Sequence, residues 1–322
     1  MGKKFLFYGA GNKAISCDLN MKDASISLAK GIILNGYGII GYIDLSVDNK
    51  NIAIKNYGGQ AFYELKEALN ENVDVDVDVI IATPDILHYE NVIDILNYNV
   101  NGIFVEKPVA MSAKEAYHIL SEVRKKKIKI EVNYFRRFLP SYIKIKKDIR
   151  ANKFGKILFG RGIYDKGLLH NGSHMINLLL FLFGVVEFKT VFGRNESKIE
   201  NDFNYSFLLK IPNQGERDII IQHGNSELYT IFELELYFEK KVIKFVDFGR
   251  KIEIYEPFED KIPGYKNLVK VYDIQTEYMN SSYYSIKHYN ANNTYIGIED
   301  SCRTIEICEE IKKKYENSYL CL

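Results

Sequence analysis

The sequence predicts an α/β protein, with a doubly wound parallel sheet in its first part and a large, mainly antiparallel open sheet in its second. Three observations carry that prediction. Short apolar runs alternate with helical spacing from Phe5 to Val132, the pattern of βαβ units. A glycine-rich turn, Gly9-Ala10-Gly11-Asn12-Lys13-Ala14, directly follows the first run. From Lys156 to Tyr255, strand-like stretches succeed one another with little helix between them.

A chain of 322 residues is long enough for two domains and a sizeable core. Its hydrophobic fraction of 47% and aromatic fraction of 13% describe a folded protein, not a disordered one. With 43 basic and 42 acidic residues there is no electrostatic case for nucleic acid or an anionic membrane. The basic run Arg124-Lys125-Lys126-Lys127 reads as a solvated helix end that suits the helix dipole. Cys17, Cys302, Cys308 and Cys321 match neither zinc spacing nor a CxxC motif, so free thiols in a reducing compartment are expected. The first residues run straight into a strand, which predicts no signal peptide, and Met1-Gly2 lacks the rest of a myristoylation pattern. The longest apolar run, Met175 to Val186, is too short to span a bilayer. The expectation is a cytoplasmic protein with neither nucleic-acid nor membrane partners.

Phe5 to Tyr8 reads as a buried strand, and the turn after it as the dinucleotide fingerprint GxGxxA. Gly9 permits a tight turn, Gly11 lets the backbone approach a pyrophosphate, and the small Ala14 lets a helix pack on the strand. Helical spacing continues through Leu19 and Ile26 to Leu28. A second strand, Ile39 to Ile43, ends on Asp44. A carboxylate there can accept hydrogen bonds from the adenosine ribose and repel a 2′-phosphate, which favours NAD over NADP; a helix or turn cap is the alternative. The step from Ala14 to Asp44 exceeds the usual ~20 residues, so an insertion is expected. Ala61 to Leu69 has helical periodicity. Val73 to Val79 alternates strictly and leads into the strand Ile80-Ile81-Ala82, which ends in the turn Thr83-Pro84. The acids in that run lack the glycine and glutamate of a calcium loop. His88 falls on the first turn of a helix reaching Tyr98.

The next strand, Gly102 to Val105, ends on Glu106-Lys107-Pro108. Proline cannot donate to a sheet ladder, so the strand must stop, which puts Lys107 at a carboxyl strand end where open α/β sheets hold ligands. A solvated Glu106–Lys107 pair is the alternative. Ser112 to Glu115 reads as a capping box opening a helix through Val123. The strand Ile128 to Val132 then delivers Asn133, Tyr134 and Arg137. The domain boundary is placed here, giving residues 1–132 for a dinucleotide and 133–322 for a second, substrate-binding domain.

In the second part a helix covers about Ser141 to Ala151 and another about Asn171 to Phe183. Strands are expected at Lys156–Tyr164, Phe188–Arg194, Asn204–Ile211, Asp218–Gln222, Glu227–Phe238, Val242–Phe248 and Lys251–Tyr255, with a last amphipathic helix at about 297–315. The most polar stretch is Tyr164-Asp165-Lys166-Gly167-Leu168-Leu169-His170-Asn171-Gly172-Ser173-His174, at a strand-to-helix transition. His170 and His174 share a helical face if a turn has begun by residue 170, but the HExxH glutamate and a third ligand are missing, so no metal is assigned. A histidine general base suits the segment, with capping and packing as the alternative.

Gly9 to Ala14, Ala82-Thr83-Pro84, Glu106-Lys107-Pro108 and the segment around His174 stand in an order that resembles the Gfo/Idh/MocA family of NAD(P)-dependent oxidoreductases. The resemblance covers nearly the whole chain. It implies an N-terminal Rossmann domain, a C-terminal α/β domain whose open sheet joins subunits in a dimer or tetramer, and a sugar or cyclitol substrate. It implies that Lys107 and His174 are catalytic. Gly9, Ala10, Gly11, Asn12, Lys13, Ala14, Asp44, Thr83, Pro84, His88, Glu106 and Lys107 would then face the cofactor. Tyr134, Arg137, Asp165, His170 and Asn171 would face the substrate beside Lys107 and His174. The chain departs from the family at His170, where an aspartate is common, and at Asn177, where another is frequent. A dinucleotide-binding regulator without catalysis is the alternative function.

Overall fold

Phe5, Leu6 and Phe7 are all fully buried within Lys4–Tyr8 (β1). A strand with no solvated face needs cover on both sides, which is the situation of a central strand in a parallel sheet. The computed structural model, described for residues 3–70, 76–225, 227, 229–291 and 296–319, places β1 there. The other strands of this sheet are Gly38–Ile43 (β2), Gln60–Phe62 (β3), Val77–Ile81 (β4), Gly102–Val105 (β5) and Lys129–Val132 (β6). They lie in the order β3-β2-β1-β4-β5-β6, every pair parallel, and the direction of winding reverses between β1 and β4. That is the Rossmann order, with its ligand position at the reversal.

This sheet belongs to a unit comprising Met1–Leu139 and Met279–Ile305; Pro140–Tyr278 and Glu306–Leu322 make up a second unit. The boundary expected at 132/133 therefore shifts, and residues 279–305 join the first unit. The reason is packing. Helix Leu28–Leu34 (α1) brings Gly31 so close to Ser282 that a Cβ there would lie 2.7 Å from the Ser282 carbonyl carbon. Ser282 lies on the first turn of a helix, Ser281–Ala291, whose Ile286 and Tyr289 enter the same core as Phe5, Phe7, Leu28 and Phe104.

Several local expectations change. The helix expected from the glycine turn through Leu28 is a single wide turn, Asn12–Ser16, followed by irregular chain before α1. Asp18 occupies that gap and accepts hydrogen bonds from the Ile26 and Ser27 N–H groups (2.6 and 2.9 Å), so the insertion is held by a side chain. Helix Val47–Tyr57 (α2) was not anticipated; its N-cap is Ser46, which accepts from Asn49 N–H at 3.2 Å. The helix expected at Ala61 to Leu69 divides into β3 and the short helix Leu65–Asn70 (α3). Val73 to Val75 lie outside the described residues; the strand expected there is described from Val77. Helix His88–Ile95 (α4) forms, as does Ala113–Lys126 (α5), on whose first turn Ser112 and Glu115 make both bonds of the capping box.

The second unit holds an eight-stranded sheet. Its strands are Ile157–Tyr164 (β7), Glu187–Asn195 (β8), Asn204–Ile211 (β9), Arg217–His223 (β10), Phe232–Phe238 (β11), Val242–Val246 (β12), Lys251–Glu259 (β13) and Lys266–Gln275 (β14). The order is β14-β13-β12-β11-β7-β10-β9-β8, antiparallel throughout except where β7 meets β10. One face is apolar and buried through Ile219, Ile221, Leu234, Leu236, Ile243, Ile252 and Ile254. The opposite face carries Ile220, Phe159 stacked on Tyr237, and a charge ladder in which Arg161 and Lys244 flank Glu235 at 2.9 and 3.3 Å. The strand expected from Glu227 starts only at Phe232, and β14 was not anticipated because it has no buried side. Helices Pro140–Arg150 (α6) and Ser173–Phe183 (α7) belong to this unit, and every residue of α7 is buried. The helix Ser281–Ala291 is α8, and Ile296–Tyr319 (α9) extends the expected C-terminal helix at both ends. No helix among the described residues is long and apolar enough to cross a membrane.

Candidate functional site

The carboxyl ends of β2, β1, β4, β5 and β6 lie in that order along one edge of the first unit. Next to them in the chain come Asp44, Gly9, Ala82-Thr83, Glu106-Lys107 and Asn133. The parallel arrangement makes this edge a row of strand-to-loop transitions, and the glycine turn sits at the point of reversal.

Gly9 has φ +97°, and a Cβ on it would lie 2.6 Å from the Ala82 carbonyl, so the turn admits glycine alone. Gly11 differs: no atom lies within 4 Å of where its Cβ would be. Open space over one glycine and close packing under the other make a cradle that fits a pyrophosphate. Asp44 Oδ2 accepts from Ala10 N–H at 2.6 Å while Oδ1 accepts from Ser46 N–H at 2.7 Å. This carboxylate is thus a turn cap that also fixes the glycine loop, and it stays half-exposed. Ala14 is fully buried, as close helix–strand packing requires. Asn12 is exposed and bonds Ser16, whereas the Lys13 ammonium donates to the Ile26 carbonyl at 2.6 Å and is held to its own unit.

At the end of β4, Thr83 Oγ1 accepts from Asn91 Nδ2 at 2.8 Å and Pro84 is exposed. His88 is fully buried, with Nδ1 2.6 Å from the Pro108 carbonyl and Nε2 2.9 Å from the Thr83 carbonyl. Both ring nitrogens face backbone oxygens, which corrects the expectation that His88 touches the cofactor. At the end of β5, Glu106 Oε1 accepts from Asn133 Nδ2 at 2.7 Å, and Asn133 Oδ1 accepts from Ser285 Oγ at 3.1 Å. Lys107 is half-buried and is followed by a cis peptide bond to the buried Pro108.

Tyr134 and Arg137 lie within the first unit, 2% and 7% exposed, and Arg137 donates to Asp300 at 2.5 Å. Arg137 also belongs to a buried cluster around Glu131, whose carboxyl is pushed up to about 7 by burial against the opposing pull of Arg137.

The second unit holds the histidine segment. Asp165 is fully buried, its Oδ2 accepting from Ile231 N–H at 3.0 Å, and burial raises its pKa. Its complete burial corrects its expected place against substrate. Residues Leu168–Gly172 form one wide turn leading into α7. Asp202 accepts from the N–H groups of Leu169 (3.0 Å) and His170 (2.8 Å), and Asn204 accepts from Gly167 N–H at 2.8 Å. Burial raises the Asp202 pKa while those N–H groups oppose the rise. Gly167 has φ +85°, and a side chain on it would strike the Asp202 carboxylate. His170 is half-buried, and His174, on the first turn of α7, is 8% exposed. The sequence assigns no site role to Asp202, Asn204 or Asn133. The first two lie some thirty residues beyond the turn they hold; Asn133 carries a signal, a polar residue at a buried strand's carboxyl end. Among the described residues, no three His, Cys, Asp or Glu side chains are grouped to hold a metal ion.

Residues 33–134 match the family model GFO_IDH_MocA, described as an oxidoreductase family with an NAD-binding Rossmann fold. The chain is 32% identical over 112 residues to Oxidoreductase P35 of Formosa agariphila, a match covering 34% of each chain. It is 28% identical over 121 residues to glucose-6-phosphate 3-dehydrogenase of Bacillus subtilis, covering 37% of this chain and 33% of that one. These matches span about a third of the curated relatives' length. Among solved structures, UDP-N-acetylglucosamine 3-dehydrogenase from Acidithiobacillus ferrooxidans superposes with a TM-score of 0.74 over 98% of both chains at 13% identity, a likeness of fold.

Proposed function

We propose that the chain is an NAD(P)-dependent dehydrogenase or reductase of the Gfo/Idh/MocA family, whose NAD-binding Rossmann model matches residues 33–134. Its substrate class is a secondary alcohol or ketone of a sugar, sugar phosphate or cyclitol. The observation that supports this best is Lys107, a half-buried amine-bearing residue at the carboxyl end of a parallel strand, next but one to the glycine turn in the sheet.

When bound, the nicotinamide cofactor supplies the two-electron exchange. Gly9, Ala10 and Gly11 fit its pyrophosphate, and Asp44 fits the adenosine ribose, so NAD is favoured over NADP. Lys107 donates a hydrogen bond to the reacting oxygen and stabilises the negative charge that develops there. His174 takes the hydroxyl proton in oxidation and returns it in reduction. His170 and Asn171, on the turn braced by Asp202, supply polar groups for the neighbouring hydroxyls. The open face of the eight-stranded sheet, with Phe159 and Ile220 exposed, supports a dimer or tetramer formed through that face.

The test is a screen of sugars, sugar phosphates and inositols with each cofactor, followed by absorbance of the reduced nicotinamide. Turnover is expected, with kcat falling by roughly 10²–10³ in Lys107→Ala, as for loss of one charge-stabilising donor. NAD binding without turnover of any of them would instead favour a ligand-responsive regulator. An unchanged kcat in Lys107→Ala would remove this lysine from the chemistry.

A further inference from the structure

The residues on either side of Lys107 are each held by a buried side chain from another element, and neither anchor has a role in the proposed reaction. Pro108, which follows it, offers its carbonyl to His88 Nδ1 at 2.6 Å. The same ring places Nε2 2.9 Å from the Thr83 carbonyl; both oxygens only accept, so a neutral imidazole donates to one of them and packs against the other, between the end of β4 and the peptide after Lys107. Glu106, which precedes Lys107, receives Asn133 Nδ2 at 2.7 Å from the end of β6. The Asn133 amide is oriented in turn by Ser285 Oγ on α8 at 3.1 Å. His88 is fully buried and Asn133 is 1% exposed, so each anchor approaches the loop from the interior. Lys107, between them, is the only half-buried cationic residue of that loop.

We propose that His88 and Asn133 are positioning residues for Lys107. This inference rests on the dehydrogenase reading for its effect on rate, but not for its effect on the lysine itself. A four-carbon amine can reach many places, and fixing the peptide after it and the side chain before it narrows that search. Misplacement by about 1 Å can cost a factor of 10² in rate, whereas binding of the cofactor through the glycine turn involves neither anchor. Loss of either bond therefore acts on kcat before it acts on affinity.

The variants are His88→Phe, which keeps a ring and loses both ring nitrogens, Asn133→Leu, which keeps the volume, and His88→Gln, which restores an amide donor. In His88→Phe and Asn133→Leu, kcat should fall roughly 10- to 100-fold with the substrate KM and the NAD dissociation constant within about twofold of wild type, and His88→Gln should recover part of the loss. Independently of turnover, lysines are reductively methylated with ¹³C-formaldehyde, and the Lys107 signal is identified by its loss in Lys107→Arg. In His88→Phe and Asn133→Leu that signal should move toward those of solvated lysines. An unmoved signal, or wild-type kcat in both variants, would overturn the proposal. If no sugar turns over yet the signal depends on both anchors, the dehydrogenase reading falls and the positioning stands. If His88→Phe does not fold, Asn133→Leu decides by the same two readouts.

Discussion

Glu131 makes the acid–base state of the core measurable. Its side chain is 5% exposed on β6, and a Cβ at Gly297 would collide with its carboxylate. Burial pushes its pKa from 4.5 up to about 7; Arg137, its own Val132 N–H and Lys129 oppose the rise, and Asp300 adds to it. A raised folded-state pKa means that the native protein binds this proton more tightly than the unfolded chain. The contribution to stability is then fully present below pH 4.5 and is lost as the pH rises through 7. The shift corresponds to about 3 kcal/mol, or ~6–10 °C in the melting temperature of a domain of this size. Glu131→Gln has no such proton to lose. The assay compares thermal midpoints of the two proteins from pH 4.5 to 8.5. The glutamine variant should gain on wild type steadily through neutrality and level off above pH 8. His288, lowered to about 4 by burial and by Arg137 and Lys129, destabilises both proteins below its unfolded pKa of 6.5 and so largely cancels in the difference. Parallel midpoints across the range would refute the reasoning.

Three further outcomes follow from the geometry. Gly9→Ala must adopt φ +97° and meet the Ala82 carbonyl, so it should cost at least 1–3 kcal/mol and abolish NAD binding by titration calorimetry. Asp44→Asn keeps an acceptor for Ala10 N–H while removing the charge, and the ratio of NADP to NAD affinity should rise on the order of tenfold. Asp202→Ala leaves the buried N–H groups of Leu169 and His170 without their carboxylate; about 2–5 kcal/mol of stability should be lost in urea unfolding, with a lower kcat in the fraction that folds.

The parallel sheet was legible because each of its central strands is a short apolar run closed by a glycine, an acid or a proline. Asp44, Thr83 and Glu106-Lys107-Pro108 are all placed by that rule. The helix after the glycine turn was not legible, since Leu19 and Ile26 keep helical spacing across a stretch that Asp18 instead folds into a capped loop. Spacing reports what could share a face; it does not report which backbone N–H groups a nearby carboxylate will claim. The same limit explains Asp165. It looked like a ligand for something external, and it is spent on an internal partner distant in sequence, Ile231. Polar residues near a site divide into those that face substrate and those that brace the frame, and the division is set by tertiary partners alone. His88 shows it most clearly, with a motif position at the strand edge and both nitrogens turned inward.

Strand β14 is last in its sheet, and almost all of its residues are exposed, Leu268, Val269, Val271 and Tyr272 among them. A border strand with such a sequence is a template on which unfolded copies can add, so it governs solubility during refolding more than native stability. Lys270 interrupts the apolar run at its centre, its ammonium 3.4 Å from both Glu253 and Asp273. With Lys270→Val, the run from Leu268 to Tyr272 would become uncharged, and turbidity on dilution from urea should then grow steeply with protein concentration while the folded protein keeps its melting temperature. Lys270 thus keeps the sheet's border closed to recruitment of further chains.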